Sequence, residues 1–391
     1  MTSRLRVLVL AGVAMGAALS ADVGAQGESS ARATRAKGVG APTAAAADTS
    51  VQGWRERVYV LLRDNRLLVV DTNSGRIVLR GTLAARSAFR GESGRRLAVS
   101  ADGRTVFALV AGRRDVVAVV DARTLRVRVR VALASGVRYR ALVLAPAGER
   151  LYVFGNRAGR VVDTANRLRE EAAVVTSVEL TSHLLSTATV READGRSWFV
   201  YWSALSADGR RLVVSYHGGC YPEYIKRCAG GADWLDITSG ALNRCQAQEF
   251  PSSGCGGQVH GMIEPYRNGF IAARGLPSVA VYDRDLRLTR LVQTRLRTHL
   301  MDFAISSDVL YALGGCAKGA GLRAVSIRSG TSRRFGPSSL CGQRITVTPR
   351  AIVVATTSRN DTSALTVVER LTGRAVQRLN LGSDPLDVVA G

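Results

Sequence analysis

Three of the chain's four histidines stand at the ends of short apolar runs: His217 in SYHGGC, His260 in GQVHGMIEP and His299 in RTHLMDF. Three neutral imidazoles bind zinc, copper or iron and leave a position open for substrate. Glu264 and Asp302, a few residues further along, are candidates for added ligands or a general base. This set predicts a transition-metal cofactor and a metal-assisted hydrolase or lyase. The competing reading is of hydrogen-bonded histidines with no metal, since no compact H-E-x-x-H motif occurs. His183 lies in a variable stretch and receives no role.

A second set of residues is basic. Arg63, Arg113, Arg157, His217, Arg274, Lys318 and Arg359 each fall in a short polar break between two strand-like runs. Guanidinium groups grip carboxylate or phosphate through paired hydrogen bonds. If those breaks come together, they form a basic mouth for an anionic ligand. The alternative is solvated decoration of an arginine-rich surface.

Charge makes both readings available. Lys+Arg number 54 against Asp+Glu 31, for a formal net charge of +23, and lysine occurs only at Lys37, Lys226 and Lys318. Such a balance favours anionic partners. No nucleic-acid motif is present and aromatics are 6% of the chain, so a base-stacking platform is not expected. No G-x-S-x-G elbow, P-loop or dinucleotide fingerprint occurs.

The N-terminus sets the expected address. Arg4 and Arg6 precede an apolar stretch from Val7 to Leu19, and Val23-Gly24-Ala25 offers a small-x-small cleavage site before Gln26. That is a secretory signal peptide, 1–25, too short to span a bilayer comfortably. Residues 26–56 read as a flexible Ala/Thr/Ser/Gly-rich linker. No later segment is apolar enough for a membrane helix. In an exported chain the six cysteines, Cys220, Cys228, Cys245, Cys255, Cys316 and Cys341, are expected in disulfides. Six cysteines allow 15 pairings. Chain neighbours suggest Cys220–Cys228 and Cys245–Cys255, which leaves Cys316–Cys341.

The elements that must position these residues show as a repeat. Leu97 to Leu133 contains four short strand patterns separated by turn signals. Its third strand and following turn recur as LLVVDTNSG (Leu67–Gly75), VVAVVDARTL (Val116–Leu125), GRVVDTANRL (Gly159–Leu168), ADWLDITSG (Ala232–Gly240), VAVYDRDL (Val279–Leu286), LRAVSIRSG (Leu322–Gly330) and LTVVERLTG (Leu365–Gly373). A polar residue opens the turn each time: Asp71, Asp121, Asp163, Asp236, Asp283, Ser326 and Glu369. Seven repeats over 57–391 give about 48 residues each, the period of propeller blades. A longer fourth repeat, near 181–250, carries an aromatic cluster including Trp198, Trp202, Tyr221, Tyr224 and Trp234. Most of these rings are expected in its core. The first repeat lacks an inner strand, and the tail Asp384–Ala390 looks like an orphan one. The expected fold is all-β: a seven-bladed propeller of four-stranded antiparallel blades, closed by the C-terminal strand.

The segment LAVSADGRTVFALV…VAVVD resembles the YVTN-type β-propeller repeat of exported bacterial proteins. Phe107-Ala108-Leu109-Val110 and Tyr152-Val153-Phe154-Gly155-Asn156 stand where that family has its naming tetrapeptide. The resemblance implies the fold and an exported setting, and leaves function open. The leading expectation is an extracytoplasmic binding or interaction protein with a basic channel mouth. Its partner would be an anionic small molecule, an envelope polymer or a protein. The metal enzyme and a structural surface scaffold stand as alternatives. A monomer is expected.

Overall fold

The computed structural model describes residues 56–84, 94–112, 114–163, 168–191, 198–218, 230–236, 242–243, 262–273, 277–285, 287–316, 321–357 and 363–391. The expected signal peptide and all but the last residue of the expected linker lie outside them.

Among the described residues every regular element is a strand, and these strands form seven four-stranded antiparallel sheets. The first sheet holds β1 (Arg57–Leu62), β2 (Arg66–Asp71) and β3 (Arg76–Thr82). The second holds β4 (Leu97–Val99), β5 (Thr105–Val110), β6 (Val116–Asp121) and β7 (Val127–Ala132). The third holds β8 (Val137–Leu144), β9 (Arg150–Asp163), β10 (Leu168–Glu179) and β11 (Leu185–Arg191). In the fourth are β12 (Trp198–Leu205), β13 (Arg211–Gly218), β14 (Gly230–Asp236) and β15 (Leu242–Asn243). The fifth has β16 (Ile263–Tyr266), β17 (Gly269–Ala273), β18 (Ser278–Tyr282) and β19 (Leu288–Gln293). The sixth has β20 (Leu300–Ser306), β21 (Val309–Gly314), β22 (Leu322–Ser326) and β23 (Ser332–Phe335). The seventh has β24 (Arg344–Val347), β25 (Ala351–Thr356), β26 (Ala364–Glu369) and β27 (Ala375–Asn380). The last strand, β28 (Pro385–Ala390), returns to the first sheet and pairs with β1, Tyr59 opposite Val389.

Position within a sheet follows from hydrophobic pattern. Second strands such as TVFALV and AIVVAT are buried nearly throughout, because sheets cover both of their faces. The outer strands β3 and β7 alternate: VRVRVA in β7 turns valines inward and arginines to solvent. Apolar clusters then join each sheet to the next. Tyr59 and Val106 belong to the cluster between first and second sheets, Leu109 and Leu142 to that between second and third. Phe154 and Leu212 join third to fourth, while Trp202, Phe270 and Phe303 join fourth, fifth and sixth. Leu313 and Ile352 join sixth to seventh, and Val353 with Val60 joins seventh to first. Each fully buried apolar side chain of this size contributes about 1.5–3 kcal/mol.

In four of the described turns after third strands the polar opener works as expected, at Asp71, Asp121, Asp283 and Ser326. Asp71 Oδ1 accepts from the amides of Asn73 (2.8 Å) and Ser74 (3.1 Å), and Asp121 Oδ1 from those of Arg123 and Thr124 (3.0 Å each). A left-handed residue completes the turn at Gly75, Leu125, Gly330 and Gly373.

The third repeat corrects the sequence reading. Asp163 ends β9, a second strand, and the third strand is β10. The residue in the repeat position is Glu179. The amide of His183 donates to its carbonyl (2.8 Å), as Leu125 does to Asp121, and His183 takes the left-handed conformation at φ 57°. His183 is therefore a turn residue. Leu185–Arg191 likewise belongs to the third sheet, so the fourth repeat does not begin near 181.

Deleting residues 382–391 removes β28, strips the inner strand from the first sheet and exposes the edge of β1. The truncated chain is expected in the insoluble fraction or as a species with no cooperative melt. A soluble truncation with the full-length melting profile would contradict this.

Candidate functional site

The inner strands β4, β8, β12, β16, β20, β24 and β28 all begin on one face of the ring. That face also carries the loops between second and third strands: the Arg63 amide, after β1, donates to the carbonyl of Asp384, before β28 (2.8 Å). At this end of the inner strands several charged groups meet.

Arg95, just before β4, is central to them. Its Nε and Nη2 donate to Glu264 Oε1 on β16 at 3.1 Å each. Its Nη1 lies 3.5 Å from Asp302 on β20 and 3.5 Å from Asp387 on β28. Its guanidinium also sits 5.2 Å from the ring centre of Trp202 on β12, and that of Arg344 on β24 is 5.2 Å from the same ring. A side chain of the second sheet that touches inner strands of the first, fourth, fifth and sixth sheets lies on the axis of the ring. There it forms, with Trp202 and Arg344, a floor on that face of the ring.

The two aspartates are fixed from both sides. Asp387 Oδ2 accepts from the amides of Arg96 (2.6 Å) and Leu97 (2.9 Å) in the next sheet, and Oδ1 from Val388 (2.9 Å). Asp302 repeats the arrangement two sheets earlier: Oδ2 accepts from the Ile345 amide (3.0 Å) and Oδ1 from Phe303 (2.9 Å). Each carboxylate thus staples one inner strand to the next. Both are wholly buried, whereas Arg95 is 17% and Glu264 26% exposed, so the accessible part of the floor is an arginine beside a glutamate.

Burial raises the Glu264 and Asp302 carboxyls above their ordinary values, and Arg95 partly offsets it. Burial works against the charge of Arg95, but Asp302, Glu264 and Asp387 together outweigh it and hold Arg95 above its ordinary value. Burial pulls Arg96 down to about 9, still charged at neutral pH.

Farther out on the same face, arginines gather. Arg323 on β22 pairs with Arg334 on β23. Its Nε donates to Ser332 Oγ (2.8 Å), which donates in turn to the carbonyl of Thr294 (2.8 Å). That bond brings in the 294–298 loop, with Arg295 and Arg297. Arg323 is lowered by burial and then by the charges of Arg295, Arg334 and Arg297. The disulfide Cys316–Cys341 ties the loop after β21 to the loop before β24 beside this cluster.

The expected site residues fare as follows. Arg63 is on the expected face, 3.7 Å from Asp384. Arg157 is exposed but lies within β9, opposite Val137 and Ala172, and not in a loop. Arg113, Arg274, Lys318 and Arg359 lie outside the described residues, as do Cys220, Cys228, Cys245 and Cys255. His217 is in β13, His299 is exposed immediately before β20, and His260 lies outside the described residues. Among the described residues no group of three or more His, Cys, Asp or Glu is placed to hold a metal. Glu264 and Asp302, expected as added ligands or a base, are instead engaged by Arg95 and by backbone amides.

Sequence reasoning missed Arg95, Arg96 and Arg344. The available signal was an acidic residue inside an otherwise apolar inner strand, in HLMDFAI and PLDVVA, because a buried charge demands a partner.

No family model and no curated protein matches the chain. Solved structures do. Dihydro-heme d1 dehydrogenase NirN in complex with DHE aligns at TM-score 0.53 and 14% identity, over 86% of this chain and 75% of that one. A protein provisionally assigned as a 6-phosphogluconolactonase from Bacteroides fragilis aligns at 0.56 and 12%, over 85% and 96%. The β-propeller domain of Cps50 (Swd1) from Myceliophteria thermophila aligns at 0.52 and 12%, over 84% and 94%. Together with the sheet-to-sheet packing, these likenesses establish the fold: the chain is a β-propeller of four-stranded antiparallel blades.

Proposed function

We propose that the chain is an exported, extracytoplasmic binding protein: a seven-bladed propeller, closed by β28, that captures an anionic small molecule on the face where the inner strands begin. The observation that carries the reading is the gathering of Arg295, Arg297, Arg323 and Arg334 through the β22–β23 pairing and the Ser332 bridge to Thr294, with no carboxylate among the described groups acting on Arg323. Like charges held together at a cost favour an anionic guest. Arg63, Arg113, Arg157, His217, Arg274, Lys318 and Arg359, expected from the sequence at that face, would add to its positive charge. The disulfide agrees with an oxidising compartment. NirN, of like fold, is seen in complex with DHE, which is compatible with small-molecule capture by this architecture.

The test uses the protein recovered from the envelope or medium, where its first residue is expected to be Gln26. Citrate and inorganic phosphate are titrated at low and high salt. At least one is expected to bind, more weakly in high salt, and to lose more than tenfold affinity in the Arg295→Glu/Arg323→Glu variant. Failure of both anions to bind, or affinity unchanged by salt and by the substitutions, would overturn the reading.

A further inference from the structure

The outer strands carry a charge pattern of which the binding face uses Arg334 alone. They read RIVLRGT in β3, VRVRVA in β7, LSTATVR in β11, LTRLVQ in β19, SRRF in β23 and AVQRLN in β27. Every charged residue in them is arginine. Acidic residues are not scarce enough in the chain to account for this, at 31 against 54 basic. They are placed elsewhere: in the turns, at Asp71, Asp121 and Glu369, and at the axis, at Asp302 and Asp387.

Four of these arginines share one height. Arg80 lies opposite Leu68, Arg130 opposite Ala118, Arg334 opposite Arg323 and Arg378 opposite Thr366. Each partner stands three residues before the turn opener of its sheet, namely Asp71, Asp121, Ser326 and Glu369. The four belong to the first, second, sixth and seventh sheets, which are consecutive around the ring through the packing of seventh on first. All four are exposed, and none is in an ion pair with a carboxylate among the described residues.

We propose that this arc of the rim is a docking track for a linear polyanion, a polymer with a phosphate or carboxylate on each repeating unit. The arginines sit on separate sheets, so one small anion cannot bridge them. The arc follows the convex outside of the ring, so a flat anionic membrane would meet only one or two sheets at a time. A flexible polyanionic chain can follow the curve and meet all four, releasing its counterions as it does so. This track meets the anion site of the inner-strand face at Arg334, which belongs to both, while Arg80, Arg130 and Arg378 belong to the track alone.

The probe is long-chain inorganic polyphosphate, with orthophosphate and phosphatidylglycerol vesicles as the other arms. The full mature chain is expected to bind polyphosphate, with affinity falling linearly on a log–log salt plot. The triple variant Arg80→Ser/Arg130→Ser/Arg378→Ser is expected to lose at least tenfold in affinity and to flatten the salt slope by about two, at roughly 0.7 per phosphate contact. Its melting temperature should fall by no more than a few degrees, since the three side chains are exposed and among them Arg130 alone donates to another sheet, from Nη2 to the Leu83 carbonyl (3.0 Å). The triple Arg→Lys variant should keep the binding. The Arg295→Glu/Arg323→Glu variant, which tests the small-anion site, should lose citrate or phosphate but retain polyphosphate. Unchanged polyphosphate affinity in the triple serine variant would overturn the track. So would equal binding of orthophosphate per phosphate group, or binding of the vesicles without polyphosphate.

Discussion

Asp387→Ala is expected to destabilise the fold by about 3–5 kcal/mol, the range for removing one partner of a buried ionic group. Both of its oxygens are in use. Oδ2 holds the amides of Arg96 and Leu97, and Oδ1 lies by Arg95. Alanine leaves two amides of the second sheet without that acceptor and takes a negative charge from beside Arg95. It also breaks the staple between β28 and the strand that follows it around the ring. Asn, which keeps one carbonyl acceptor, should recover part of the loss. Urea denaturation of the parent, Asp387→Ala and Asp387→Asn measures all three. An alanine variant within about 0.5 kcal/mol of the parent, the usual range for neutral surface changes, would contradict the assignment.

Arg95→Met is expected to cost a similar amount, about 3–5 kcal/mol at neutral pH, and the loss should depend on pH. The substitution leaves Glu264, Asp302 and Asp387 at the axis without the guanidinium that joins them. Burial already raises the Glu264 and Asp302 carboxyls in the parent. An acid whose folded value exceeds its unfolded value penalises folding once both states are ionised. The penalty fades as pH falls through the folded value, because the folded state then binds the proton first. Without Arg95 those values rise further. The gap between Arg95→Met and the parent should therefore narrow as pH is lowered from 7 through the raised carboxylate range. Melting both proteins across that range gives the measurement. A gap that stays constant, or widens in acid, would show that Arg95 is not compensating these carboxylates.

Much of the fold was legible in the sequence because strand and turn chemistry is local. Alternating valine and arginine in VRVRVA is enough to say which side of β7 meets the core. An aspartate four residues before a left-handed position is enough to place the turn after β2 or β6, since its carboxylate bonds amides two and three residues on within that same turn. The same locality misled in the third repeat. VVDTANRL has the composition of the recurrent turn, but Asp163 ends a 14-residue second strand, and only the pairing of β9 with β10 shows it. Glu179 and His183 do the work of that turn with residue types that carry a weaker signal, His183 standing where three other repeats have glycine.

By itself, then, the sequence determined the all-β class, the four-strand unit, the turn openers and the basic excess, each of which depends on residues near one another in the chain. The axial cluster was decided by tertiary structure. Arg95 and Asp387 are 292 residues apart, and Arg95 and Glu264 are separated by 169. No local pattern says that these side chains converge, because convergence depends on the circuit of the ring. The fate of Glu264 and Asp302 follows from the same fact. Beside His260 and His299 in sequence they suggested metal ligands. Packed around the axis they meet a guanidinium from the opposite side of the ring, and the low dielectric there makes that partner outweigh any nearer in the chain.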